Sequence, residues 1–573
     1  MKNIFSYKKF LIIIILVASF LRFWKLGSVP NHLTPDEASL GYNAYSILKT
    51  GKDEYGKFLP IIFKSFGDYK PGLYVYTSII PIAIFGLTEF AIRLPSALAG
   101  VIGVFLVYLI IKKFIEVGFF VLDDGSLKQN KIDVRFNYQL FSLVVSFLLA
   151  INPWHLHFSR GAWEANLSLT LILAGIYCFL CSLRREGYLI VSSIFFALSL
   201  LSYQGAKLST FVVLLILLLL FFKRILKFKL KILLSSFLIG ILISLPLFLS
   251  LFGKTGRLQV FSLFSAPRTL EYKQEILDQG NETLNSLSYY LYHSEALNFI
   301  RGILGRWFNH FSARFLFFEG DWQNERHSAP NMGQFLVADI VLFALGFFYL
   351  IISRGRFKYF VFLWLGLSPL PAILSRDQVH GVRALNMLVP LVFISSLGLT
   401  SLFGLYQQKG ILQKLILEIF TFVYLGNFVY YLDAYYLHLP IHDAQYWYYG
   451  YREAVKEVQP YRVENRKIIF QQSFSQPYIF FLFYEKYDPL LYQKIAHLDP
   501  IGNDVGLVNS MDNIEFRSLS WPFGNLEKGT IFVADNIAAP GDLIGKNFKI
   551  IREIYYPNNL DVAFRVMEVI DEK

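Results

Sequence analysis

Two acids stand side by side at Asp36 and Glu37, directly after Pro35, in the stretch NHLTPDEASLGYNAYSILKTGKDEYGKFLPIIFKSFGDYK at residues 31–70. The same stretch closes on Asp68, Tyr69 and Lys70, ahead of Pro71. A carboxylate held beside an apolar surface serves as general base on a hydroxyl. Transfer of a sugar to a hydroxyl needs such a base, together with stabilisation of the departing oxygen. A lysine at a membrane surface meets a lipid phosphate as a point charge. Each residue has a plainer reading. T-P-D-E ahead of ASLGYNAYSILKTG is also a good helix start, with Thr34 as cap, and Lys70 is also read as an interfacial lysine that snorkels. The two readings of the acids are compatible if Thr34 caps while Asp36 faces a site.

Further charges recur in three later segments. Arg160 and Glu164 lie in NPWHLHFSRGAWEANL, Tyr203 and Lys207 in SYQGAK, and Arg376, Asp377, His380 and Arg383 in SRDQVHGVR. A charge near a membrane span is functional by default. His155 and His157 with Glu164 make a weak metal pattern, because one His-x-His falls short of a ligand set; hydrogen-bonded or solvent-facing histidines are the alternative. No metal and no cofactor is expected. Cys178 and Cys181 form a C-x-x-C inside an apolar run, with no second pair, and read as buried thiols. A phosphate-binding glycine loop is absent, which argues against a nucleotide-driven pump and against a soluble nucleotide-sugar fold.

These residues need a scaffold, and composition says what kind. The chain has 573 residues, 55% apolar and 17% charged, with mean hydropathy +0.45. About a quarter of residues are charged in soluble domains, and apolar runs of about 18 or more are membrane helices. The net charge of +12 gathers in short loops between apolar runs. That is the positive-inside pattern, which excludes a nucleic-acid partner and makes the anionic lipid surface the partner of that charge.

Eleven spans are expected, at about residues 10–24, 93–111, 138–153, 167–183, 188–203, 208–222, 232–252, 335–352, 359–374, 384–405 and 412–432. The run at 71–87, PGLYVYTSIIPIAIFGL, also looks like a span. Accepting it would put Lys112-Lys113, Arg184-Arg185 and the run KRILKFKLK at 223–231 on the outside. Treating it as a short helix at the outer interface restores the charge rule. Residues 10–24 then act as a retained anchor with a cytoplasmic N-terminus. The first outer loop is 25–92, within a transmembrane unit of residues 1–432. The tail, 433–573, is polar, with short β-branched or aromatic runs at 467–471, 530–534, 548–551 and 562–566 between turn signals. It reads as an extracytoplasmic α/β domain.

The pattern PDE, then DYKPGLYVY some thirty residues on, then EFAIRLPSALAG leading into a span, resembles the multi-spanning GT-C glycosyltransferases. It is most similar to bacterial protein O-mannosyltransferases and lipid A aminoarabinose transferases. SRGAWEANL and WYYGYREAV also resemble bacterial members of this group. The resemblance is strong over the first 170 residues and diffuse beyond. It implies a polyprenyl-phosphate sugar donor, transfer with inversion on the outer face, and no bound metal. It also implies roles: Asp36 as base with Glu37 beside it, Lys70 and Arg93 as donor-phosphate ligands with Arg383 a looser match, and Glu164 as the second acid. Pro71-Gly72 stands where relatives often carry two prolines, and Glu164 where they often carry aspartate. Tyr69, Arg160, Tyr203, Lys207 and His380 are candidates for contacting substrate. The acceptor is not identified by sequence. Rival readings are a transporter or flippase of lipid-linked sugars, and a non-catalytic receptor working through its tail.

Overall fold

The computed structural model describes residues 2–66, 68–120, 137–251, 268–353, 355–406, 410–472, 476–500, 506–524, 527–541 and 547–570. A helix forms at each expected span: α1 (Lys2–Phe23), α4 (Glu89–Glu116), α5 (Tyr138–Ile151), α7 (Glu164–Ser182), α8 (Tyr188–Leu200), α9 (Ala206–Ile225), α10 (Leu230–Leu251), α13 (Asp339–Ile352), α14 with α15 (Phe357–Leu367 and Leu370–Ile373), α16 (Leu388–Tyr406) and α17 (Ile411–Asp433). Six helical stretches among the described residues are long and apolar enough to cross a membrane. Two of the shorter ones, α5 and α14, continue through a break. At Asn152-Pro153 the chain leaves α5 and re-enters a helix as α6 (Pro153–Phe158), Asn152 capping the new start by accepting from the His155 N–H at 3.0 Å. The protein is a polytopic helical membrane protein with a C-terminal domain built on a sheet.

The run at 71–87 forms α3 (Leu73–Phe85). Its thirteen residues, as many as α8, rise about 20 Å. The helix is pinned by Tyr74, whose hydroxyl donates to the Ile92 carbonyl at 2.9 Å, and by Tyr76, which donates to Pro60. Ile80, Ile84 and Phe85 stay exposed on its outer side.

The basic clusters share one end of the bundle. Arg184 pairs with Glu116 at 3.3 Å, Arg224 donates to the Val117 carbonyl, and the Lys229 N–H donates to Glu186. Tyr7 and Lys8 of α1 line a pocket with Lys112 and Glu116 at this same end. The acid-bearing segment lies at the other. There α2 (Pro35–Thr50) and the hairpin of β1 (Ile62–Ser65) and β2 (Asp68–Pro71) sit between the helix ends and the tail.

Beyond α17, the tail carries α18 (Leu439–His442) and α19 (Tyr451–Val463), then β3 (Ile468–Gln471), α20 (Pro477–Tyr484) and α21 (Pro489–Ile495). The strand pair β4 (Asp499–Pro500) and β5 (Gly506–Leu507) follows, then β6 (Ser510–Met511), β7 (Ile514–Arg517), β8 (Ile531–Ala534), β9 (Phe548–Tyr555) and β10 (Val562–Val569). The main sheet runs β6-β7-β3-β8-β10-β9, with β3 parallel to both β7 and β8 and β10 antiparallel to its two neighbours. Each of the four strand runs read from sequence is a strand of this sheet. β6 and β7 were not foreseen; their short segments, ending in polar Arg517, carry little β signal.

The buried face of α2 and the sheet share one core. Ala38, Tyr42 and Ala44 pack with Ala454, Phe470, Tyr478 and Phe483. A side chain at Gly41 would stand 2.6 Å from the Phe483 ring, so the missing side chain sets how closely α2 meets α20.

Candidate functional site

The helix that carries the acids begins as its sequence dictates. Thr34 caps α2, its hydroxyl accepting from the Glu37 N–H at 3.2 Å while Glu37 accepts from the Thr34 N–H at 3.1 Å, and Pro35 occupies the first turn. This reciprocal cap turns the two adjacent acids in opposite directions. Glu37 points inward and is buried; Asp36 points out, its side chain 58% exposed.

Asp36 meets Lys70. The Lys70 ammonium donates to Asp36 Oδ1, and both line a shallow pocket with Ser39, Asn43, Phe63 and Ser65. The β1–β2 hairpin delivers Lys70 to this place. Its exit into α3 needs Gly72: an added side chain would run into the Phe63 ring and stand 2.9 Å from the Ile61 carbonyl. That accounts for glycine following Pro71. The Asp68 side chain lies outside the described residues.

Beneath the pocket runs a polar chain. Ser39 and Ser65 are hydroxyl to hydroxyl at 3.1 Å, and Asn43 donates to the Ser39 carbonyl and to Glu54 at 3.0 Å each. Glu54 is fully buried, and burial pushes its carboxyl up to about 8. Nothing in KTGKDEYGK marks Glu54 out, since its hydrogen-bond partner Asn43 sits on the preceding helix.

The turn after α8 is docked on the hairpin. The Gln204 amide donates to the Tyr69 carbonyl, the Leu73 N–H donates to the Leu201 carbonyl at 3.0 Å, and Lys207 donates to Gln204 at 2.8 Å. The structure therefore brings Tyr203 and Lys207 beside Tyr69 and Lys70, from segments over a hundred residues apart.

Other expected site residues take different places. Glu37 and Arg93 form a buried bidentate pair, Nε to Oε1 at 3.0 Å and Nη2 to Oε2 at 3.3 Å. Arg93 spends its three remaining N–H groups on the Leu26, Pro30 and His32 carbonyls at 3.2, 2.7 and 2.6 Å. With all five donors engaged and no exposed surface, Arg93 has nothing left for a phosphate, which corrects the ligand role expected for it. Glu37 also accepts from the Ala162 N–H at 2.8 Å. It ties the acid loop to the start of α7, a positioning role in place of the catalytic one. Glu164, the first residue of α7, is two residues from that contact and half-buried.

Arg160 is buried as well. It donates to the Leu21, Arg22 and Val29 carbonyls and stacks on Tyr436 at 4.8 Å, so it splices the end of α1 to the loop, away from the pocket lining. His155 pairs with Arg22 at 2.8 Å and His157 with the Arg326 carbonyl at 2.7 Å, neither with Glu164. Arg22 went unnoticed in the sequence, although an arginine near the end of an apolar run is the signal that would have found it.

Arg383 pairs with Asp377 at 3.0 Å, and His380 stacks against His327 with ring centres 4.9 Å apart. His380 belongs to a second group, in which Asp321, His327 and His380 converge. None of them lines the Asp36–Lys70 pocket.

No protein-family model and no curated protein matches the chain. Among solved structures it resembles ArnT from Cupriavidus metallidurans bound to undecaprenyl phosphate, with TM-score 0.51 and 10% identity over 97% of each chain. It is also similar to the archaeal oligosaccharyltransferase AglB from Archaeoglobus fulgidus in complex with an inhibitory peptide and a dolichol-phosphate. That match has TM-score 0.49 and 14% identity, covering 91% of this chain and 62% of that one. The chain thus spans about three fifths of the archaeal protein's length. At such identities the likeness is one of fold alone, the fold being the one seen in ArnT.

Proposed function

We propose that the chain is an inverting glycosyltransferase, moving a sugar from a polyprenyl-phosphate donor to a hydroxyl-bearing acceptor at the outer face of the membrane. The observation that carries this reading is the ion pair of Asp36 and Lys70 in the lining of one pocket. The fold supports it, being shared with ArnT, whose solved structure holds undecaprenyl phosphate. The basic ends of the helices supply the orientation: the positive-inside rule puts them in the cytoplasm, with the N-terminus. The pocket and the tail then face outward.

Lys70 and Asp36 neutralise each other in the resting chain. An incoming lipid phosphate competes for Lys70, and the carboxylate so released faces the acceptor. The acceptor oxygen attacks the anomeric carbon from the side opposite the phosphate. The bond from that carbon to the phosphate oxygen breaks, its electron pair leaves with the phosphate, and the hydroxyl proton passes to Asp36. A phosphate leaving group needs no general acid, so one base suffices. Glu164 completes the acidic side of the site, and Tyr69, Tyr203 and Lys207 form the wall against which donor and acceptor are held.

The test is transfer by purified protein from a panel of synthetic polyprenyl-phosphate sugars. Wild-type protein releases polyprenyl phosphate in step with glycosylated product. Asp36→Asn, folded and membrane-inserted, loses at least about a hundredfold in rate, within the range for removing a general base. Undiminished transfer in that variant would overturn the reading.

A further inference from the structure

The loops joining α12 (Glu295–His310) to α13 and α15 to α16 carry a side-chain group that the transfer mechanism does not use. Asp321, His327 and His380 each bring one ligand-capable atom to within 4.8 Å of the other two. Asp321 and His327 are buried, and the His380 side chain is only 12% exposed. The site is built inward from its backbone. Asp321 Oδ1 accepts from the N–H groups of Gln323 and Asn324 at 3.3 and 3.1 Å, and Oδ2 accepts from the Gly381 N–H at 2.7 Å. His327 Nδ1 stands 2.7 Å from the same Oδ2. That 2.7 Å spacing suits two atoms that ligate one cation, which would take the place of the proton they share.

The His327 and His380 rings stand 4.9 Å apart, tilted by 40°, a spacing at which two imidazolium ions would repel and two metal-ready neutral rings do not. His157 is nearby and faces the Arg326 carbonyl at 2.7 Å; His310 is nearby as well. It is spent: its Nδ1 faces the Arg306 carbonyl at 2.7 Å and its Nε2 accepts from the His380 N–H.

We propose that Asp321, His327 and His380 bind a divalent d-block cation of the zinc class. Two neutral imidazoles and one carboxylate suit such a borderline cation and are poor hosts for magnesium or calcium, which take oxygen ligands. Three protein ligands leave a position open for water. Asp377, whose carboxylate lies 3.8 Å from His380 Nε2, stands beside it. The cation clips the turn at 321–327 to the loop at 380–383. That clip backs Trp163, whose ring centre is 5.6 Å from His327, and Trp154, which donates to the Gly381 carbonyl at 3.0 Å. Trp163 directly precedes Glu164, so the clip buttresses the acidic side of the candidate active site. The inference stands on these side chains alone and holds whether or not the chain transfers sugar.

The experiment uses the full chain in detergent, purified on a tag without histidines, stripped with chelator and titrated with Zn2+ and then Co2+. Expected are one tightly bound Zn2+ per chain, a rise in melting temperature on adding it, and the visible absorption of a Co2+–imidazole site. His327→Ala and His380→Ala weaken binding by at least about tenfold, as loss of a group essential to a metal site does, while the exposed His438→Ala leaves it unchanged. His380→Gln serves where the alanine variant does not fold. No stoichiometric binding by the wild-type chain, or equal binding by the His380 variants, would overturn the proposal.

Discussion

At the scale of single residues, two adjacent acids do opposite jobs because a helix cap rotates them apart. Asp36 is exposed and meets a cation it can exchange; Glu37 is buried and meets one it cannot. The two substitutions should therefore differ in kind. Asp36→Asn leaves the melting temperature near that of wild type. Glu37→Gln or Arg93→Ala strands a buried charge, a loss of about 3–5 kcal/mol, read as a large fall in melting temperature. Equal stability for all three variants would refute the division of labour. Glu54 makes a separate prediction in pH. Its folded value of about 8 lies above the unfolded value of 4.5, so the native state holds the proton that the unfolded chain has released. Stability from this group is therefore fully present below pH 4.5 and is lost as pH rises through 8. Glu54→Gln should flatten that decline in denaturation measured across the interval, and an unchanged slope would contradict the assignment.

At the scale of elements, the spans and the four main strands were legible because each follows a local rule: apolar run length for the helices, alternation between turn signals for the strands. The helix α3 was legible from its apolar run, while its reading as interfacial comes from charge parity along the whole chain. What stayed hidden was the use of side chains. Arg93 and Arg160 looked like free cations near a membrane surface, but their donors end on carbonyls of the loop at 21–32. Backbone carbonyls are in every sequence and so carry no signal. Asp36 and Lys70 are different: residue type and position marked each as a site candidate, and the β1–β2 hairpin brings them into contact. Gly41 tests the packing of α2 on α20. Gly41→Ala places a methyl against Phe483 and should cost about 1–3 kcal/mol, with Gly41→Ser no better; a neutral effect on melting would show that the ring yields freely.

Over the whole molecule, the tail is part of the site's foundation. Tyr42 donates to the Tyr487 carbonyl, Gln493 donates to Ser46, Thr50 and the Asp53 carbonyl, and the Gly506 N–H donates to the Phe66 carbonyl. His32 and Glu453 close the join at 2.8 Å. A helix of mixed polarity such as α2 looked like half of a surface loop because its partner arrives more than four hundred residues later. Removing residues 451–573 uncovers the apolar face of α2, so the shortened chain should aggregate in detergent or expose residues 31–70 to protease. A monodisperse, active truncation would mean that the tail is dispensable.

The central claim is that Lys70 exchanges Asp36 for a lipid phosphate. It is tested most directly by an experimental structure of the wild-type chain with undecaprenyl phosphate. The account predicts the phosphate within hydrogen-bond reach of Lys70, with the Asp36 carboxylate released and facing the cavity. A phosphate seated elsewhere, with Lys70 still paired to Asp36, would contradict it.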